Sequence, residues 1–216
     1  MRAASSSRYD CSESEKIMFY DIITCLRKAF CAVRSRYYVC FYSLVYGTQC
    51  GKNVRIYGRT IIHGPGKIII GANTHTTSRR AITELVATRK DAVLEIGEGC
   101  LLNGAVIGVR ASVSIGKSCI IAEAYIRDSS AHGITPTRRR IPGSEIIAPV
   151  IIEDNVWIGS HTHVMPGVRI GENSIIGVNS VVTKSIPKNV FAAGNPARVI
   201  KPLTDMESPL MEEPLK

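Results

Sequence analysis

From Cys50 onward, aliphatic residues return at every sixth position. Cys50, Ile56, Ile62 and Ile68 open the series, Ile96 and Leu102 continue it, and Val109, Ile115 and Ile121 follow after a shift of one residue. Ile146, Ile152, Ile158, Val164, Ile170, Ile176 and Val182 then run without a break. Four residues after the hexad starts of this last run stand Val156, Thr162, Val168, Ser174 and Ser180, and Gly71, Gly97, Gly116, Gly159, Gly171 and Gly177 directly follow an aliphatic residue. A period of six matches neither a helix nor an indefinitely alternating strand. It fits a short strand and a tight turn repeated, three such units closing one triangular coil. Strand alternation turns each aliphatic inward, together with the small residue two places before it, and turns the residues between them outward. Glycine relieves the turns. The pattern predicts no helix after residue 50.

Upstream the period changes. In residues 17–46, Phe19, Ile22, Ile23, Leu26, Phe30, Val33 and Tyr37 recur at helical spacing, with Asp21, Arg27, Lys28 and Arg34 largely on the other side. This predicts an amphipathic helix followed by a segment of helical or extended character. Two readings of its apolar face stay open: packing against the rest of the protein or a sister subunit, or a basic helix lying on an anionic membrane surface. Residues 1–16 read as a Ser-rich lead. The expected division is a helical extension over 1–48, a repeat domain over 49–201 and an irregular tail over 202–216.

The hexad pattern is interrupted between residues 124 and 152, and the predicted protrusion covers 127–148. It carries Asp128, His132, the run Arg138, Arg139 and Arg140, and Glu145. His132 falls off the inward count in a polar loop, so it is not expected in the core. Asp128 reads either as a group that orients the imidazole or touches a substrate, or as a turn carboxylate; Glu145 is a similar, weaker candidate. The arginine run reads either as a solvated charge cluster or as a clamp for carboxylate or phosphate. Trp157 precedes the inward Ile158 and so faces out, as a subunit contact or a ligand wall. Cys100 and Cys119 occupy the small inward slot and read as core.

Composition narrows the partners. The chain has 216 residues, 45% hydrophobic, and a formal net charge of +9, which favours an anionic partner. Aromatic residues make up only 6%, and no helix-turn-helix, zinc-finger spacing or stacking motif accompanies the charge, so no nucleic-acid partner is expected. Seven cysteines without a C-x-x-C pair read as reduced thiols. No secretory signal is visible and no run reaches the roughly 20 apolar residues of a spanning helix. The expected location is the cytoplasm, possible contact with the inner face of the membrane running through residues 17–46. His63, His75, His161 and His163 show no zinc-ligand arrangement, and no metal is expected.

The segment "VIIEDNVWIGSHTHVMPGVRIGENSIIGVNSVVTKSIPKNVFAAGNPARVIK", residues 150–201, resembles the hexapeptide-repeat acyltransferases, in their maltose/galactoside O-acetyltransferase branch and its relatives that acetylate bacterial surface polysaccharides. The resemblance covers roughly residues 50–201. It implies an all-β fold, a left-handed parallel β-helix, here with an N-terminal amphipathic helical segment and a protruding loop. It also implies a homotrimer with sites between subunits, and acetyl-CoA as donor. By the same resemblance His132, placed before the W-I-G motif, is the general base. Asn103 in "LLNGAVI" binds the acceptor. Ser160 lends its backbone N–H to the thioester carbonyl, and Trp157, Gly159, Val178, Thr183, Lys184 and Arg198 line the coenzyme side. Gly133 follows the histidine where the family usually has proline.

The chemistry suits these residues. A sugar hydroxyl is protonated at neutral pH and needs a base that is not; histidine, ordinarily near 6.5, fits. A fixed backbone N–H stabilises the oxyanion formed on attack at a thioester. Asparagine tolerates left-handed turns, so Asn103 also reads as a turn residue. The expected function is O-acetylation of a sugar hydroxyl, of a capsule or other surface polysaccharide, with Arg138–Arg140 fitting an acidic sugar or the coenzyme's phosphates. The rivals are acetylation of a xenobiotic or amino-sugar amine, and a non-catalytic membrane-peripheral scaffold.

Overall fold

The computed structural model describes residues 13–77 and 81–204. Glu13–Tyr46 form one continuous helix, α1, so the second segment, left open between helical and extended, is helical. Gly47, in the left-handed region at φ 64°, ends it, and the Thr48 N–H donates to the Tyr42 carbonyl at 3.3 Å. The face that meets the coil is not the predicted stripe. Ser35 and Tyr42 are buried, and Tyr38 and Val39 pack against the core. Leu26, Phe30, Val33 and Tyr37 are all exposed; the side chains of Phe19, Ile22 and Ile23 lie outside the described set. The reason lies at the open end of the coil. The first turn has no neighbour below it, so its strand edge presents unpaired backbone groups. The Ile56 N–H donates to Ser35 Oγ at 2.7 Å, and the Tyr42 hydroxyl donates to the Thr60 carbonyl at 2.7 Å. A polar face of α1 is what the edge requires.

From residue 49 the chain winds into a left-handed parallel β-helix. Among the described residues three sheets of six, eight and six strands form its walls. We name them A (from Gln49–Cys50 to Arg169–Ile170), B (from Arg55–Ile56 to Ala197–Pro202) and C (from Thr60–His63 to Val181–Val182). Pairing is parallel and in step: Ile121 stands between Leu102 and Ile158 in sheet B, and Ile115 between Ile96 and Ile152 in sheet A. Like residues therefore stack into columns, and these aliphatics are essentially inaccessible to solvent. The slot two places earlier holds Cys100, Cys119, Val156 and Ser174, all buried. Buried hydroxyls find carbonyls: Ser174 donates to Pro187 at 2.7 Å and Thr74 to Gly97 at 2.8 Å.

At the A–B corner, Asn53, Asn73, Asn155, Asn173 and Asn189 all adopt left-handed angles, φ 56–60°. Their side chains bond along the axis, from Asn155 to Asn173 at 2.9 Å and from Asn173 to Asn189 at 2.8 Å. At the same corner a Cβ on Gly97 would lie 2.5 Å from the Gly116 carbonyl oxygen, so the coils approach at backbone distance.

Two members of the hexad series are corrected. Ile146 is exposed in the loop and joins no column. Val109 is buried, but the column member of sheet C in its coil is Ile107, paired with Leu85 and Ile126. The shift marks a wide C–A corner at Arg110–Ser112. At the far end Ala197–Pro202 pairs antiparallel with Val190–Gly194 and covers the last edge of sheet B, a hairpin absent from the sequence reading.

Removing the capping groups of α1 tests this account. Ser35→Ala leaves the buried Ile56 N–H without an acceptor and is expected to lower stability by about 1–3 kcal/mol in denaturant unfolding; Tyr42→Phe, losing one hydroxyl, by about 1 kcal/mol.

Candidate active site

The loop over residues 128–149 leaves sheet C after Arg127 and enters sheet A at Val150, so it is rooted at the C–A corner. Its base is a short antiparallel ladder: Ser129 bridges Ile147, the Ser130 N–H donates to Ile146 at 3.0 Å, and the Ala148 N–H donates to Asp128 at 2.9 Å. His132 is exposed, and its imidazole makes no hydrogen bond or ion pair among the described residues. Ser130 Oγ donates to the His132 carbonyl at 2.7 Å, which fixes the backbone there.

Asp128 does not orient His132. It is fully buried, at the next inward position after Ile126, and its carboxylate accepts the N–H groups of Arg110, Ala111 and Ser112 at 2.8, 2.7 and 2.8 Å. The wide corner beneath it turns three donors inward, and a carboxylate is what satisfies them. Glu145 is likewise occupied rather than open to an acceptor. Its carboxylate lies 2.6 Å from the Arg110 guanidinium, with the Glu145 side chain only 9% exposed. Arg110 thus holds the returning limb of the loop, a role the sequence reading missed; its only sequence signal is the shift in the hexad count at that corner. Gly133 is buried. A Cβ there would stand 2.6 Å from the Arg138 carbonyl oxygen and 2.4 Å from Ser144 Oγ, so glycine at this position lets the 138–144 turn close against the loop segment that carries His132. Arg138, Arg139 and Arg140 are all exposed.

The second cluster sits at the B–C corner. Asn103 ends its sheet B strand, exposed, and the left-handed turn residue is the following Gly104, φ 73°, so Asn103 is not there for its turn tolerance. The Glu123 N–H donates to the Asn103 carbonyl at 2.6 Å and the His161 N–H to the Glu123 carbonyl at 3.0 Å, stacking Asn103, Glu123 and Ser160–His161 along one corner. The Ser160 carbonyl accepts from Asn179, while the Ser160 N–H has no acceptor among the described residues. Gly159 is buried, and a Cβ on it would lie 2.9 Å from the Val178 nitrogen. Val178 and Trp157 face out, at 64% and 49% exposure. Thr183 and Lys184 are exposed beyond the last strand of sheet C, and Arg198 on the closing hairpin.

One chain therefore brings Asn103, Ser160 and Val178 together but roots His132 at a different corner. Two further pairs escaped the sequence reading: His161 Nε2 lies 3.4 Å from the Glu123 carboxylate, and His163 stacks on Tyr125 with ring centroids 4.9 Å apart. Cys100 and Cys119 stand buried side by side, donating to the Gly116 and Glu153 carbonyls. A hydrogen bond with the Cys100 thiol, together with burial, pushes the Cys119 thiol well up, while the same bond holds Cys100 below the ordinary thiol range; both are buried away from solvent, so neither is placed to meet a substrate.

Residues 149–184 match the family model described as bacterial transferase hexapeptide (six repeats). The match is confined to that segment. The galactoside O-acetyltransferase of Escherichia coli (strain K12) is 44% identical over 96 residues, covering 44% of this chain and 47% of that protein. The galactoside O-acetyltransferase of Lactococcus lactis subsp. lactis is 45% identical over 80 residues, 37% and 38% of the two chains. The chain thus spans less than half the length of the curated relatives it matches. Among solved structures, the polySia specific acetyltransferase NeuO superposes with a TM-score of 0.51 at 26% identity, over 77% of this chain and 80% of that one.

Two substitutions separate the loop's supports from its chemistry. Asp128→Ala leaves three inward N–H groups unsatisfied and is expected to lower coil stability by at least ~2 kcal/mol in denaturant unfolding. Gly133→Ala displaces only the loop; the thermal midpoint is expected to stay within about 2 °C while accessibility of residues 133–144 to limited proteolysis rises.

Proposed function

We propose that this chain is an acetyl-CoA-dependent O-acetyltransferase acting on a sugar hydroxyl, of a bacterial capsule or other surface polysaccharide. The observation that carries the reading is the division of the site: an exposed His132 at the C–A corner, and Asn103, the free Ser160 N–H and Val178 at the B–C corner. A homotrimer unites them, His132 of one copy lying against the B–C corner of the next. The outward apolar residues beside that corner, Leu101, Ile120 and Trp157 on sheet B and Ile61 and Tyr125 on sheet C, supply the surfaces such an assembly covers.

In this reading Asn103 hydrogen-bonds the acceptor, and the His132 imidazole takes the proton of its hydroxyl as the oxygen attacks. The new C–O bond forms at the thioester carbonyl, the Ser160 N–H stabilises the developing negative charge, the C–S bond breaks and the proton passes to the leaving thiolate. Transfer is direct and needs no covalent enzyme intermediate. Trp157, Val178 and Thr183 border the donor's path, and Lys184 and Arg198 fit its phosphates. The exposed arginines 138–140 fit an acidic sugar. The galactoside O-acetyltransferases and the polySia specific acetyltransferase support a sugar acceptor by similarity.

Thiol release from acetyl-CoA in the presence of a polysaccharide and nucleotide-sugar panel tests the proposal. His132→Ala is expected to lower the rate about 100-fold or more with sedimentation unchanged, and an unaltered rate removes His132 from the mechanism. Because the Ser160 donor is backbone, Ser160→Ala is expected to stay within about fivefold of wild type, whereas Ser160→Pro, lacking the N–H, falls by about 100-fold.

A further inference from the structure

Helix α1 carries a second apolar pattern that its packing on the coil leaves unused. Phe19, Ile23, Leu26, Phe30, Val33, Tyr37, Cys40 and Leu44 alternate in steps of four and three. The six members whose side chains are described all face away from the coil: Leu26 65%, Phe30 68%, Val33 70%, Tyr37 64% and Leu44 88% exposed, with Cys40 also exposed. The contacts with the coil come from Ser35, Tyr38, Val39 and Tyr42, on another side of the helix. A helix of 34 residues is about 51 Å long, and the stretch from Ser35 to its end is about 18 Å of it. An arm rich in aromatic and β-branched residues has little helical stability of its own.

We propose that this seam docks α1 of a second copy of this chain, side by side in the same direction, as a coiled coil. The period decides for a helix over a flat surface. Steps averaging 3.5 residues drift by about 20° per heptad on a straight helix, so a planar membrane loses contact towards the ends, whereas a supercoiling partner follows the seam. Charge decides for a parallel copy. With Ile23, Phe30, Tyr37 and Leu44 as a positions and the others as d, the flanking e positions hold Arg27 and Arg34 and the g positions hold Ile22, Ala29 and Arg36. In parallel register the e arginines stand opposite Ile22 and Ala29 of the second copy, and Arg36 opposite Phe41, with no like pair. Antiparallel pairing over the same length sets Arg27 against Arg34 of the second copy twice, which costs stability.

Cys40, at a d position, meets its counterpart across a parallel seam within disulfide reach. The test is oxidation of the full-length protein carrying Cys11→Ser, Cys25→Ser and Cys31→Ser, with Cys40 retained. A disulfide-linked dimer on a non-reducing gel is expected, lost on Cys40→Ser and reduced about tenfold or more by Leu26→Glu with Val33→Glu. Both glutamate positions are exposed, so the thermal unfolding of the coil is expected to be unchanged, and a shifted midpoint is answered by Val33→Glu alone read in the same gel. No Cys40 link, or a link that the glutamates leave intact, overturns the proposal. So does flotation of the wild type with phosphatidylserine vesicles that the glutamates abolish while no link forms, which makes the seam a membrane face.

Discussion

Coil-on-coil hydrogen bonding in strict register is the constraint on which the rest of this molecule depends. Each backbone N–H of a strand must find a carbonyl one coil away, as the Leu101 N–H finds Cys119 and the Ile120 N–H finds Val156, both within 2.9 Å. Once that register holds, a residue's neighbours along the axis are set, and inward positions can carry only what stacks. Chemistry is displaced to the corners, the outward columns and the one loop that leaves the count.

The same demand explains features that look unrelated. The first coil has a backbone donor and an acceptor with no coil beneath them, and α1 answers with the Ser35 and Tyr42 hydroxyls, beside the packed Tyr38 and Val39. The corner at Arg110–Ser112, between the column members Ile107 and Ile115, is two residues wider than a regular hexad corner and turns three donors inward; Asp128 answers those. The last coil is closed by its own antiparallel strand. Each is a place where the repeat would otherwise leave backbone groups unpaired in a poorly hydrated setting. The loop that carries His132 grows from the second of these places, so Asp128 roots it and Arg110, through Glu145, holds its return.

Much of the coil was legible because an inward position in a stacked prism tolerates few residue types. Ile152 to Val182 could be placed residue by residue, and Trp157 followed as outward. What was not legible depends on the shape of particular corners. Ile146 keeps the count by coincidence, and Val109 stacks on Ala87 at a second inward position, two residues beyond Ile107. Asp128 could be left only between a site and a turn carboxylate, and Glu145 was a weaker candidate of the same kind, because a sequence does not reveal that a wide turn presents N–H groups to one and an arginine to the other. The α1 stripe was recognised, but of the partners left open for it the coil is not the one: the coil edge needs hydroxyls and takes the opposite face, leaving the stripe free. Placing Asn103 and His132 on separate corners required the order of the three sheets.

That separation is the centre of the proposed function, in which each site is the joint product of two chains. Mixing two inactive variants tests it most directly. Asn103→Ala and His132→Ala proteins, dissociated together and reassembled in equal amounts, are expected to recover about a quarter of wild-type acetyl transfer, the share of interfaces that random assortment leaves with both groups intact. Recovery no greater than the sum of the separately reassembled variants would mean that one chain supplies both groups, and the shared site would be wrong.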